Sequence, residues 1–145
     1  MQLHDPNLHQ RLIEMCDCYL ETDFPTQLRQ AAAGDPGDPK EGALKYLALA
    51  LLHALTEKAA KLSLKQKKGK ITATIQSDDG KESFPAPAPE LFQEIIALVR
   101  AILHSEADKE KTLLVLGLRS GEVELQVKLE REEDKESLRI KFPQG

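Results

Sequence analysis

The hydrophobic pattern of this chain changes its period at Lys61, and this change limits the possible folds more than any other feature. Before it, residues 43–55 are apolar on nearly all sides, which is typical of a helix buried among several neighbours. After it, apolar and polar residues alternate, and a period of two places successive side chains on opposite faces of a strand. Four of the five strands that we predict alternate in this way. Such strands form an antiparallel sheet with one face covered by helices.

The predicted elements follow one another in the order α-α-α-β-β-α-β-β-β. The helices are predicted at residues 7–20, 23–33, 40–60 and 89–104. The strands are predicted at residues 61–65, 71–76, 112–118, 122–130 and 137–142. The continuously apolar strand 112–118 is expected in the centre of the sheet. We therefore predict an α+β fold in which N-terminal helices precede an α-ββ-α-βββ unit, with a five-stranded antiparallel sheet and helices packed on one face.

A stretch rich in turn-forming residues divides the chain. Two Gly and two Pro fall within residues 34–39, and such a stretch cannot continue a helix. We predict that residues 1–33 form an N-terminal helical hairpin. Residues 34–41 are then a linker, and residues 42–145 form the α+β domain.

Charge and composition narrow the class of partner. The formal net charge of −4 disfavours nucleic acid, because binding to phosphates needs clustered positive charge. The longest apolar run is shorter than the about 20 residues of a membrane-spanning helix. The first residues lack the basic and apolar regions of a signal peptide. We therefore expect a cytoplasmic protein without membrane insertion, and a protein as its partner.

Sequence motifs give no support for catalysis or for a bound metal. His4, His9, Cys16 and Cys18 do not have a zinc-binding spacing, and residues two apart on a helix point in different directions. Neither a phosphate-binding loop nor a nucleophile elbow occurs in the sequence. We predict no catalytic residue, no metal and no cofactor.

A cluster of lysines marks the first two predicted strands. Six lysines fall within thirteen residues, namely Lys58, Lys61, Lys65, Lys67, Lys68 and Lys70. Strand alternation places the polar residues of the two strands on one face of the sheet. We predict a partner-docking face formed by Lys61, Ser63, Lys65, Lys67, Lys68, Lys70, Thr72 and Thr74. The alternative is a solvated hairpin whose lysines protect a sheet edge from aggregation.

The order of segments between Ala43 and Phe142 carries a resemblance to a known family. A helix leads into a hairpin at Leu62–Gln76, and a turn at Asp79 and Gly80 follows. A Pro-containing connector, the helix Leu91–Arg100 and three strands complete the segment. This order resembles the PAS-like N-terminal subdomain of type II secretion and type IV pilus ATPases. The family's Ser-Asp-Ile-His entry to its first strand would fall at residues 61–64, which lack both Asp and His.

The resemblance implies a non-catalytic relative, because the family's ATPase domain has no counterpart in this sequence. Three hypotheses about function follow. The first is a protein-interaction or regulatory domain, accessory to a secretion-type or pilus-type ATPase, with a homodimer left open. The second is a small-molecule or nucleotide sensor with a pocket between sheet and helix. The third is an enzyme whose site carries no recognisable motif.

Overall fold

The computed structural model describes residues 6–19, 22–34, 37–118 and 121–143. Its helices are α1 (Pro6–Cys18), α2 (Phe24–Ala31), α3 (Pro39–Thr56) and α4 (Pro89–Leu103). Its strands are β1 (Lys61–Lys67), β2 (Lys70–Ser77), β3 (Gly80–Ser83), β4 (Lys109–Leu118), β5 (Gly121–Glu132) and β6 (Lys135–Lys141). The predicted α+β class and the antiparallel sheet are confirmed.

All the described strands form one antiparallel sheet with the order β3-β2-β1-β6-β5-β4. Strand β1 joins the two halves, since it pairs with β2 of its own hairpin and with β6 from the end of the chain. Leu62 of β1 lies opposite Ile75 of β2 and Ile140 of β6, and all three side chains are buried. The register therefore places the apolar positions of the three strands on the same face.

The prediction of five strands is wrong, because the sheet has a sixth strand. Residues Gly80–Ser83 form β3, which pairs with the end of β2 after a turn at Asp78 and Asp79. All four residues of β3 are exposed. A strand so short and polar has no apolar alternation, so the hydrophobic pattern could not reveal it.

The central position predicted for residues 112–118 is also wrong, because β4 is an edge strand. Its odd-numbered residues face away from the helices, so Leu113 is 60% exposed and Val115 is 37% exposed. Helix α1 contacts this strand, and His9 Nε2 donates a hydrogen bond to the Val115 carbonyl oxygen at 2.7 Å. Helix α1 thus occupies one of the carbonyl groups along the β4 edge that would otherwise be free to accept a hydrogen bond from another strand.

The core lies between the helices and the apolar face of the sheet. Helix α3 passes through its middle, is buried on nearly all sides and contacts α1, α2 and α4. Tyr46 of α3 and Phe92 of α4 are fully buried. The Tyr46 hydroxyl donates to the Pro85 carbonyl oxygen at 2.5 Å, which ties the Pro-rich connector to the core. His53 is also buried, with its ring edge-to-face against Phe84.

The ends of the helices differ from the predicted ends by a few residues. Helix α1 begins at Pro6, one residue before its predicted start at Asn7. Its predicted end at Leu20 falls outside the described residues. Helix α4 ends at Leu103, where His104 adopts a left-handed conformation as its cap. No described helix is long and apolar enough to cross a membrane.

Helices α1 and α2 bury Leu8, Leu12 and Leu28 in the same core as α3 and α4. The division of the chain into a hairpin at 1–33, a linker at 34–41 and a domain at 42–145 stays a prediction.

Candidate docking face of the sheet

The sheet has one face that the helices leave uncovered, and we call this the open face. Alternation along each strand sends every second side chain to it. On β1 these residues are Lys61, Ser63, Lys65 and Lys67, and they lie opposite Gln76, Thr74, Thr72 and Lys70 of β2. On the other side of β1 they lie opposite Lys141, Arg139, Ser137 and Lys135 of β6. Residues far apart in the sequence are thereby brought together.

Positive charge is concentrated in two neighbouring rows that cross the open face from β3 to β4. The first row is Lys81, Gln76, Lys61, Lys141, Gln126 and Leu113. The second row is Ser83, Thr74, Ser63, Arg139, Lys128 and Lys111. The described residues of the two rows include six cations and no carboxylate. The net charge of −4 therefore conceals a strongly cationic surface.

A groove of about 440 Å³ lies on the open face over β1, β2 and β6. It is lined by Lys61, Ser63, Lys65, Thr72, Thr74, Gln76, Lys81, Ser137 and Arg139. A smaller groove of about 170 Å³ adjoins it and shares Lys61 and Arg139 with it. Of the described residues that line the two grooves, none is acidic. Positive charges and hydroxyl groups thus dominate the concave part of the surface.

Ser137 has an unusual position in the larger groove. It is only 2% exposed, and its Oγ makes no hydrogen bond to any described residue. It lies between Lys65 of β1 and Glu130 of β5 in the register of the sheet. A buried hydroxyl without a partner is uncommon in a folded protein and calls for an explanation, such as a bound ion or ligand.

Arg139 is held from the side of β5. Its Nη1 lies 3.6 Å from Glu130 Oε1, and the same carboxylate oxygen lies 3.6 Å from Lys128 Nζ. The Glu130 side chain is 19% exposed, so solvent screens these ion pairs less than it would at a fully open surface. This contact fixes the guanidinium at the border between the two grooves.

The structure separates the eight predicted docking residues into two groups. Five of them, Lys61, Ser63, Lys65, Thr72 and Thr74, line the larger groove. The remaining Lys67, Lys68 and Lys70 are exposed at the tip of the β1–β2 hairpin. There Lys68 and Gly69 form the turn with positive φ angles, and glycine adopts such angles without strain. These three lysines extend the open face beyond the groove.

Sequence reasoning missed the part of the open face that β3, β4, β5 and β6 contribute. The missed residues include Lys81, Lys111, Lys128, Ser137 and Arg139. Apart from Lys81, each occupies a polar position of a predicted strand or lies beside one. The order β1-β6-β5 was needed to bring them next to the lysine cluster, and the alternating pattern does not determine strand order.

A second pocket, of about 290 Å³, lies at the end of α4 and is lined by Arg100, among others. Arg100 Nη1 donates to the Ala107 carbonyl oxygen at 2.7 Å, while Nε and Nη2 have no partner among the described residues. Nearby, hydrogen bonds from the hydroxyls of Ser105 and Thr112 lower the pKa of Glu110. This pocket adjoins the carbonyl end of a helix, where the dipole disfavours an anion. The open face is the better candidate.

The thiols and histidines form no cluster in the described residues that could hold a metal ion. Cys16 is buried, and burial raises the pKa of its thiol to about 12. Cys18 is exposed. Comparison with protein-family profiles and with curated proteins found no match for this chain.

Proposed function

We propose that this chain is a non-catalytic protein-interaction domain that binds an acidic surface of a partner protein through its open face. The observation that carries the proposal is the pair of cationic rows across the sheet, which contain six cations without a carboxylate. An acidic partner would be attracted to such a surface at long range and oriented by it. The net charge is −4 although these rows hold six cations, so the rest of the protein is acidic and would repel the same partner.

Two exposed aliphatic side chains favour a protein over a nucleic acid as the partner. Leu113 lies on the open face next to Lys111 of β4, and Val115 lies there opposite Glu124 of β5. An apolar patch next to charged groups is the usual composition of a protein–protein interface. The described residues of the two rows include no aromatic side chain on which a base could stack.

The face of the sheet is a better docking surface than its edges. The β4 edge is in contact with α1, and His9 already occupies the Val115 carbonyl oxygen. The β3 edge is only four residues long, and all four residues are exposed. Short or covered edges discourage the addition of another strand.

The resemblance to the PAS-like subdomain of secretion and pilus ATPases suggests which partner to test. We propose a regulatory role in the cytoplasm, as an accessory to an ATPase of this class. The sheet has an open polar face on one side and helices on the other. With such a face the domain would dock on the ATPase without needing an active site of its own.

The test is quantitative affinity capture from cells of the source organism, with the wild-type chain and two double variants as baits. The first variant carries Lys61→Glu and Lys141→Glu. These residues are paired across β1 and β6, so the change replaces one like-charged pair with another. The matched control carries Arg29→Glu and Lys40→Glu, which are exposed on helices and change the net charge by the same amount.

We expect the wild type and the control to recover the same acidic protein. The open-face variant should recover at least about tenfold less of it, since reversed charges at an interface both repel the partner and slow its association. Equal recovery by the open-face variant, or loss of the partner in the control, would contradict the proposal.

A further inference from the structure

We infer that the larger groove of the open face is a binding site for a phosphate monoester, presented by the partner as a phosphorylated side chain. This inference rests on the proposed function, because it names the group by which the acidic partner is anchored. It adds a specific site, centred on Ser137 and Arg139, to what is otherwise a general electrostatic attraction.

The first argument is the set of hydrogen-bond donors. Ser137 Oγ is buried in the groove without a described partner. Three further hydroxyls, those of Ser63, Thr72 and Thr74, line the same groove. A hydroxyl can donate one hydrogen bond, and a buried one that makes none carries a desolvation cost. A ligand that accepts several hydrogen bonds would remove that cost.

The second argument is charge. Lys61, Lys65, Lys81 and Arg139 line the groove, and of its described lining residues none is acidic. A phosphate monoester carries about −1.5 to −2 charges and has three terminal oxygens that accept hydrogen bonds. A carboxylate has one charge and two oxygens, so it would leave more of these donors and cations unpaired. Arginine is suited to phosphate because its planar guanidinium can donate two parallel hydrogen bonds.

The third argument is that Arg139 is already fixed in place. Glu130 contacts it from β5 at 3.6 Å, while Glu130 itself does not line the groove. A guanidinium held in advance loses less conformational freedom on binding an anion than a free side chain would. The Glu130 carboxylate therefore draws the guanidinium toward β5 while staying outside the lining of the groove.

The lining of the groove also indicates how the phosphate is presented. Its volume of about 440 Å³ has room for more than an inorganic ion. The described lining residues are polar or charged, without an aromatic or aliphatic wall to hold a nucleobase. A phosphorylated serine or threonine within an acidic segment needs no such wall. Its neighbouring acidic residues would meet Lys111 and Lys128 of the adjoining groove.

The test is a titration of the isotopically labelled full chain, followed by the chemical shifts of its backbone amides. The probes are an acidic peptide with one phosphoserine, the same peptide with unmodified serine, inorganic phosphate and a nucleoside monophosphate. We expect the phosphopeptide to bind at least about tenfold more tightly than the unmodified peptide, because charge-assisted hydrogen bonds are strong. The largest shifts should surround Ser137 and Arg139.

Three variants make the titration specific. Ser137→Ala should weaken phosphopeptide binding about fivefold, and Arg139→Gln about tenfold or more, in line with a neutral and a charged hydrogen bond. Lys40→Gln, which is exposed on α3 and lies outside the open face, should leave the affinity unchanged. The thermal unfolding midpoint of each variant shows whether it is folded.

Equal affinity for the phosphorylated and unmodified peptides would overturn the inference, as would tighter binding of the nucleotide than of the phosphopeptide. If the phosphopeptide fails while partner capture still depends on Lys61 and Lys141, only this inference fails. If the phosphopeptide binds the groove but capture does not depend on those residues, the proposed protein partner fails instead.

Discussion

Replacing Ser137 by alanine should stabilise the protein, although the residue lies deep in a central strand. The hydroxyl is 2% exposed and has no hydrogen-bond partner among the described residues. Burying a hydroxyl without a partner costs about 1–3 kcal/mol, and removing the oxygen also removes some packing contacts. We therefore expect Ser137→Ala to raise the free energy of unfolding by about 1 kcal/mol. For a chain of this length, that gain raises the unfolding midpoint by about 3 °C.

The assay is urea and thermal unfolding followed by circular dichroism, in a buffer without phosphate. Ser83→Ala is the matched control, since Ser83 is exposed on β3 of the same face and should change stability by less than about 0.5 kcal/mol. A loss of about 1 kcal/mol or more in Ser137→Ala would show that Oγ has a stabilising partner in solution. In that case the hydroxyl would not be held in reserve for a ligand, and the reasoning about the groove would be refuted.

Three further predictions follow from the fold. Leu113→Ala should change the free energy of unfolding by less than about 0.5 kcal/mol and Leu116→Ala should lower it by about 2–5 kcal/mol, because only Leu116 is buried. Equal losses in urea unfolding would contradict the exposure of Leu113 on the open face. In the native protein a thiol reagent should label Cys18 quickly and Cys16 only after unfolding. Fast labelling of both thiols would contradict the burial of Cys16 on α1. Burial raises the pKa of Cys16 from 9.0 to about 12 and also raises the pKa of Tyr46. The contribution of these two groups to stability is present below about pH 9 and is lost as the pH rises. Unfolding curves between pH 7 and 11 that show no loss of stability would contradict this.

The sequence was sufficient to predict the class of the fold and most of its elements. The change of period at Lys61 predicted where helices give way to strands. Strands β1 and β2 form the hairpin expected at Leu62–Gln76, with its turn at Lys68 and Gly69. Helix α3 is buried on nearly all sides, as its uniformly apolar composition predicted. These features depend on local periodicity, which a single sequence displays directly.

The two errors have different physical origins. An apolar run such as β4 is compatible with a central strand, but in the structure its alternate residues Leu113 and Val115 face solvent. Strand β3 lacks apolar residues and is held by pairing with β2. The edge position of β4 depends on which strands are neighbours, which is a long-range property, whereas β3 forms a local hairpin with β2 that the hydrophobic pattern does not show.

The candidate site was predicted only in part, because it too depends on which strands are neighbours. The alternation of β1 and β2 was enough to place Lys61, Ser63 and Lys65 beside Thr72 and Thr74. The contribution of β6 could not be anticipated, because nothing local shows that the end of the chain pairs with β1. The net charge was misleading as well, since it averages over a cationic face and an acidic remainder.

The central claim is that the open face is where this protein meets its partner, and differential lysine labelling of the captured complex tests it most directly. An amine-reactive reagent is applied to the free chain and to the complex, and modification at each lysine is quantified by mass spectrometry. The account predicts that Lys61, Lys65 and Lys81 become protected in the complex, while Lys40 on the helical side reacts equally in both states. Unchanged reactivity of the three groove lysines, or protection of Lys40 in their place, would contradict it.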